Sequence, residues 1–344
     1  MNKHQPTLLV TGGAGFIGSN FITYFMKKYP DKLLLNVDKL TYAGTKENLN
    51  EVENLKNYHF IHGDIADEQL IKAIFNDYNI DGVIHFAAES HVDRSIKDAT
   101  EFVRSNVLGT MVLLQAARSD WVKKGVLTER RFHQISTDEV YGSLGETGKF
   151  NETTPYDPRN PYSASKASAN MLAKSFGYTY EMNVVISSSS NNYGPRQHEE
   201  KLIPTIISKA LSGESIPIYG DGKNIRDWLY VGDHCIALDQ IYHRAAPQEI
   251  YNIGGNNEKT NIEIAEKICE ILDEIEPDIK EKFSLTSFKD LITYTEDRLG
   301  HDRRYAVDDT KLRKDLGWDA TEPLASGIRK TVEWYVNKWK LPTP

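Results

Sequence analysis

The chain has 344 residues, a formal net charge of -8 and a hydrophobic fraction of 40%. The acidic balance argues against a nucleic-acid surface, because phosphate backbones are gripped by clustered Lys and Arg. No apolar run approaches the roughly 18 residues of a membrane helix, and the first residues lack the apolar stretch of a signal peptide, so a cytoplasmic protein with no membrane partner is expected. Cys235 and Cys269 show no metal-site spacing and are expected to be packed thiols in a reducing compartment, with no metal bound.

Thr7 to Thr11 has the pattern of a buried strand and runs into Gly12-Gly13-Ala14-Gly15-Phe16-Ile17-Gly18, followed by an amphipathic helix to about Lys28. Glycines at Gly12, Gly15 and Gly18 permit a tight turn and close approach of a dinucleotide pyrophosphate to a helix N-terminus. A second strand, Leu33 to Val37, ends at Asp38, where an acid either accepts hydrogen bonds from an adenosine ribose, favouring NAD over NADP, or closes a turn. Tyr58 to His62 predicts a strand, Glu68 to Tyr78 a helix, and Gly82 to Phe86 a strand leading into Ala87-Ala88-Glu89-Ser90-His91. Asp64 either reaches an adenine or closes a turn; Ala87 and Ala88 either let a cofactor lie close or do the same.

Residues 101–119 and 163–181 read as long helices whose broad apolar faces pack on the sheet, any exposed remainder serving as a dimer surface. Between them, Phe132 to Ser136 is a strand whose carboxyl end delivers Thr137, Asp138 and Glu139 to the ligand side of an open sheet. The two acids either do proton work or cap the next helix. Tyr162 and Lys166, after Pro161, are four apart and share a helix face. An ammonium beside the phenol would favour phenolate and make Tyr162 a general base.

Val184 to Ser188 is a further strand, after which regularity falls. Leu202 to Leu211 predicts a helix, Ile216 to Gly220 a short strand and turn, Gly222 to Asp227 a polar loop, and Asp233 to His243 a helix returning to the first domain. Glu249 to Gly254 is a strand, and helices follow at Asn261 to Glu274, Thr310 to Leu316 and Leu324 to Trp339. Alternating strands and helices predict an α/β protein with a doubly wound parallel sheet. The expected division is 1–192 with 229–255 for the dinucleotide, and 193–228 with 256–344 as a smaller mixed α/β substrate domain.

Five further words sharpen this: Ala87 to Ser95, Ser136 to Gly142, Asn191 to Pro195, Glu200 to Pro204 and Gly300 to Tyr305. With the glycine turn and Tyr162/Lys166 they resemble the extended short-chain dehydrogenase/reductase family, in its NAD-dependent sugar epimerase/dehydratase group. The resemblance spans nearly the whole chain and implies a Rossmann-type sheet, a retained NAD and a nucleotide-sugar substrate, dTDP-glucose. It implies a lyase that oxidises C4, eliminates the C6 hydroxyl and returns the hydride to C6. In that reading Thr137 orients the sugar, Tyr162 and Lys166 serve the oxidation, Glu139 is the base at C5 and Asp138 the acid at C6. It also implies a homodimer and a place in deoxysugar supply for polysaccharides.

By the same resemblance, cofactor contacts are Phe16, Ile17, Asp38, Lys39, Leu40, Thr41, Asp64, Ile65, Phe86, Ala87, Ala88, Ser105 and Asn192, beside the glycines, Tyr162 and Lys166. Substrate contacts are Ser90, Thr137, Asn191, Glu200, Lys201, Leu202, Pro217, Tyr219, Arg226, Asn261, Asp297, Arg298 and His301, with Arg226 on the diphosphate. Arg196-Gln197-His198-Glu199 and Leu299 depart from the family pattern around the nucleotide. A 4-epimerase of the same group would share the glycine turn and Tyr162/Lys166 but has no use for an adjacent acid and base. A non-catalytic dinucleotide sensor would lack the proton-transfer groups, and a uridine nucleotide in place of thymidine changes one methyl on the base.

Overall fold

The structure is a computed structural model describing residues 5–297 and 302–340. Its first half alternates strand and helix as expected: β1 (Pro6–Thr11), α1 (Phe16–Lys28), β2 (Leu33–Asp38), β3 (Tyr58–His62), α2 (Glu68–Asp77) and β4 (Asn79–His85). Short helices α3 (Val92–Lys97) and α4 (Thr100–Phe102) lead through a π turn, Val103–Gly109, into α5 (Thr110–Lys124). Then come β5 (Arg131–Thr137), α6 (Pro161–Tyr180) and β6 (Asn183–Ser189).

The second half comprises β7 (Asn191–Tyr193), α7 (Leu202–Leu211), β8 (Ile216–Tyr219), β9 (Ile225–Tyr230), α8 (Val231–Arg244), β10 (Ile250–Ile253) and β11 (Glu258–Thr260). It closes with α9 (Asn261–Ile275), α10 (Pro277–Lys282), β12 (Ile292–Thr295), α11 (Thr310–Leu316) and α12 (Leu324–Lys340). Among the described residues no helix is long and apolar enough to cross a membrane.

Seven strands form one parallel sheet in the order β10-β6-β5-β4-β1-β2-β3. Strands buried on both faces alternate their side chains between two cores. Leu8 and Val10 of β1 join the core under α1 and α8, whereas Leu9 joins the one under α2, α5 and α6. Each such aliphatic side chain contributes about 1.5–3 kcal/mol when fully buried. Strand order reverses between β1 and β4, and the crevice there, at the carboxyl ends, is where an open α/β sheet receives ligands.

A smaller lobe holds a three-stranded sheet, β11-β9-β7, and a two-stranded one, β12-β8. Its core gathers Ile203, Ile207, Ile268, Leu272, Phe288 and Tyr335 from α7, α9, α12 and the turn before β12. Two expectations need correction. The supposed polar loop 222–227 becomes strand at Ile225, because residues 225–227 pair with β11, and the strand runs on through 228–230, which pair with β7. The supposed single helix over 101–119 is interrupted by the π turn, where Asn106 is buried facing Glu89 and Ser165.

Candidate active site

Three structures meet at the crevice: the turn after β1, the end of β5 and the start of α6. Gly12 adopts φ +73, and a Cβ there would stand 2.5 Å from Ala87 Cα, so the turn closes only on glycine. A Cβ on Gly18 would meet Gly12 O at 2.4 Å, whereas one on Gly15, the N-cap of α1, which has no side-chain cap, would meet it at 3.4 Å. Uncapped N–H groups at a helix N-terminus attract an anion. Asp38 accepts from Ala14 N and Leu40 N, both at 2.8 Å, so it closes the turn and also lines the cleft; burial pushes its carboxyl up. At Asp64 burial pushes upward but is outweighed by Ala66 N–H, Lys39 and Arg104, and the carboxyl sits below its usual range.

At the end of β5, Thr137 Oγ1 accepts from Glu139 N at 3.3 Å and caps a 3-10 turn, Asp138–Tyr141. Asp138 is 2% exposed, and its Oδ2 has no hydrogen-bond partner among the described residues. Burial, then Glu139 and Asp227, push its carboxyl well above the usual range. Burial also raises Glu139, but Lys201 and Arg226 pull it back. The surroundings of the two carboxyls therefore differ: Asp138 is pushed upward by burial and two acids, whereas two cations oppose the burial of Glu139.

Asn160 caps α6 by accepting from Ser163 N at 2.9 Å, Ser163 Oγ returns the bond at 3.2 Å, and Pro161 fixes the first turn. Tyr162 and Lys166 then project from one face into the cleft. Lys166 Nζ donates to Ile135 O at 2.7 Å, and burial lowers its pKa to about 8. The expected lowering of the Tyr162 pKa is not found: burial and then Glu139 hold the phenol well above its ordinary value, opposed by the Thr137 hydroxyl.

The cleft collects most of the residues expected at it. Gly12, Gly15, Phe16, Ile17, Gly18, Asp38, Lys39, Thr41, Asp64, Ile65, Phe86, Ala87, Ala88, Ser105 and Asn192 line it on the cofactor side. Ser90, Thr137, Asp138, Glu139, Tyr162, Lys166, Asn191 and Lys201 line the rest. Leu40 instead packs on the α1 core and Leu202 on that of the smaller lobe. Glu200 stands between His91, at 3.2 Å, and His198, at 3.8 Å. Pro217 and Tyr219 lie on β8, and Asn261 opens α9 with its N–H on Asn224 O.

Arg226 stacks on Tyr305 at 4.5 Å and donates to Asp302 O at 2.9 Å, within the field of Asp138 and Glu139. A Cβ on Gly220 would touch Asp297. Arg298, Leu299 and His301 lie outside the described residues. Gln197 and His198, from the segment that departs from the family pattern, also line the cleft, as does Ser190, which sequence reasoning did not pick out. Ser190 is one of a run of four serines with nothing local to distinguish it.

A parallel sheet with a glycine turn at its switch point, and a helix presenting Tyr162 and Lys166 there, define an extended short-chain dehydrogenase/reductase. Residues 9–331 match the family described as GDP-mannose 4,6 dehydratase, and the chain belongs to that family. It is 50% identical over 338 residues to the dTDP-glucose 4,6-dehydratase of Neisseria gonorrhoeae, covering 97% of this chain and 96% of the relative. The dTDP-glucose 4,6-dehydratase of Bacillus anthracis strain Ames, solved in complex with NAD, is 42% identical with a TM-score of 0.83 over 96% of this chain and 97% of that one. That of Streptomyces venezuelae, solved with NAD and TYD bound, is 39% identical with a TM-score of 0.85 over 97% and 98%.

Proposed function

We propose that this chain removes water from dTDP-glucose, giving dTDP-4-keto-6-deoxyglucose, in a cleft that holds NAD. The observation that carries the reading is the acid pair: adjacent carboxyls at the cleft, the deeper one pushed towards its neutral form by burial and unpartnered at Oδ2 among the described residues. The residues present fit the cofactor. The glycine turn and the uncapped α1 N-terminus would take its pyrophosphate, Asp38 the adenosine ribose, and Lys166 the nicotinamide ribose. NAD held there would supply the hydride acceptor for C4 and, once reduced, the hydride donor for C6.

The chain's own groups move the protons. Tyr162, with Thr137 beside it, takes the C4 hydroxyl proton, and Lys166 supports the phenolate that this role requires. A ketone at C4 acidifies the C5 proton. Glu139 removes that proton, and Asp138 gives its own to the C6 oxygen, which leaves as water. Thymidine as the nucleoside rests on the names of the relatives.

The test is the product mass after incubating purified protein, without added cofactor, with dTDP-glucose and in parallel with UDP-glucose. Loss of one water from dTDP-glucose alone is expected; an isomer of unchanged mass would overturn the reading. Other parts of the proposal are a cytoplasmic protein that supplies deoxysugar precursors, divided at 1–192 with 229–255 and 193–228 with 256–344. It is a homodimer through α5 and α6, whose supporting observation is a set of exposed apolar side chains: Val103 at 55%, Met171 at 63% and Tyr178 at 70%.

A further inference from the structure

Asp227 has no part in the chemistry above, yet its carboxyl is buried, the residue being 1% exposed. Gly255 N donates to its Oδ2 at 2.9 Å and Asn257 N to its Oδ1 at 2.7 Å. Burial pushes this carboxyl up, and the two N–H donors oppose that push by favouring the carboxylate. The carboxyl lies close against the 254–257 segment: a Cβ on Gly254 would stand 2.9 Å from Oδ2, so the segment needs glycine there.

Strand register sets this carboxyl behind the acid pair. Thr137 on β5 pairs with Ser189 on β6, and Asn191 on β7 pairs with Trp228 on β9. Asp138, Ser190 and Asp227 are each one residue from those pairs, so Ser190 stands between the two aspartates. Asp138 Oδ2 is buried without a hydrogen-bond partner among the described residues, whereas the Ser190 side chain interacts with the Asp227 carboxyl and helps hold its charge.

We propose that Asp227 is a positioning residue for the dehydration: its fixed carboxylate, behind Ser190, keeps the proton on Asp138 and so decides which member of the Asp138–Glu139 pair is the acid. This rests on the dehydratase reading of the cleft. Repulsion between Asp138 and Glu139 is mutual and cannot by itself choose between them. The other groups facing Asp138 are Thr137 on its own segment, Tyr162 from α6, and Arg226, like Asp227, from β9. Asp227 and Arg226 oppose each other there, whereas at Glu139 Lys201 and Arg226 act together. In the elimination the C5–H bond breaks towards Glu139, its electron pair forms C5=C6, and the C6–O bond breaks as Asp138 protonates the leaving oxygen. Only a protonated Asp138 completes that step.

Asp227→Asn removes the charge. The expected result is an alkaline limb of water loss moved down by about one pH unit, so that dehydration about one unit above neutrality falls roughly tenfold. Oxidation at C4, read as bound reduced nicotinamide, should keep its rate. Asp227→Glu disturbs the same loop but retains the charge, and is expected to keep the wild-type limb. An unmoved limb in Asp227→Asn, or the same shift in both variants, overturns the proposal. If Asp227→Asn does not fold, infrared spectra of the wild-type holoenzyme at neutral pH decide: a buried carboxylic-acid band abolished by Asp138→Asn is expected, and its absence overturns the proposal. A wild-type protein that reduces its cofactor on dTDP-glucose but never releases water would instead sink the dehydratase reading, which keeps the two failures distinct.

Discussion

Glu139 and Asp138 are chemically alike and adjacent in sequence, so their opposite roles come from surroundings. Lys201 and Arg226 favour a charged Glu139, while burial, Glu139 and Asp227 push the Asp138 carboxyl upward. Glu139→Gln should therefore still oxidise C4 but lose about 10²–10⁴-fold in water release. The check is rapid-quench analysis for a 4-keto sugar that retains its C6 hydroxyl, with reduced cofactor still bound; normal turnover would remove Glu139 as the C5 base. Arg226 illustrates a limit of reading residues alone. The resemblance puts it on the diphosphate, but what its sequence neighbours do not show is that its guanidinium is buried against Tyr305 and the Asp302 carbonyl, partners about eighty residues away.

Among the elements, those with long local periodicity were legible. Tyr58–His62, Leu202–Leu211 and Thr310–Leu316 agree with the expected limits residue for residue, because a repeated apolar spacing is a property of the segment itself. Strands β7 and β11 were not legible: at three residues each they are defined by pairing with β9 rather than by their own pattern. The π turn at Val103–Gly109 has no sequence signal either; what marks it is Asn106 bonding to Glu89 and Ser165 across the fold. The glycine turn is the opposite case, since its spacing names its geometry. Gly12→Ala would force a left-handed backbone costing about 1–2 kcal/mol and press a methyl into Ala87. Purified Gly12→Ala should carry less nicotinamide than wild type, by cofactor release and mass spectrometry, and melt at a lower temperature; full retention would show that the turn tolerates a side chain.

At the scale of the molecule, the apolar strip on α5, α6 and the π turn predicts the assembly. Met171→Asp combined with Tyr178→Asp places two carboxylates on that strip, away from the cleft. Light scattering should then report a monomer in place of a dimer, and a dimer that survives would locate the interface elsewhere. The proposal that the cofactor is retained between turnovers meets a feature of the chain path. Passage between the two sheets takes one residue, Ser190, from β6 to β7, and four, Gly254 to Asn257, from β10 to β11, while β9 passes into α8 with none. The four-residue passage is pinned by Asp227 through Gly255 N and Asn257 N. Linkers that short have no slack to act as a hinge, so the lobes are stitched together rather than jointed. Access to the cleft then falls to the loops at its mouth, because the seam between the lobes is sewn shut along that edge.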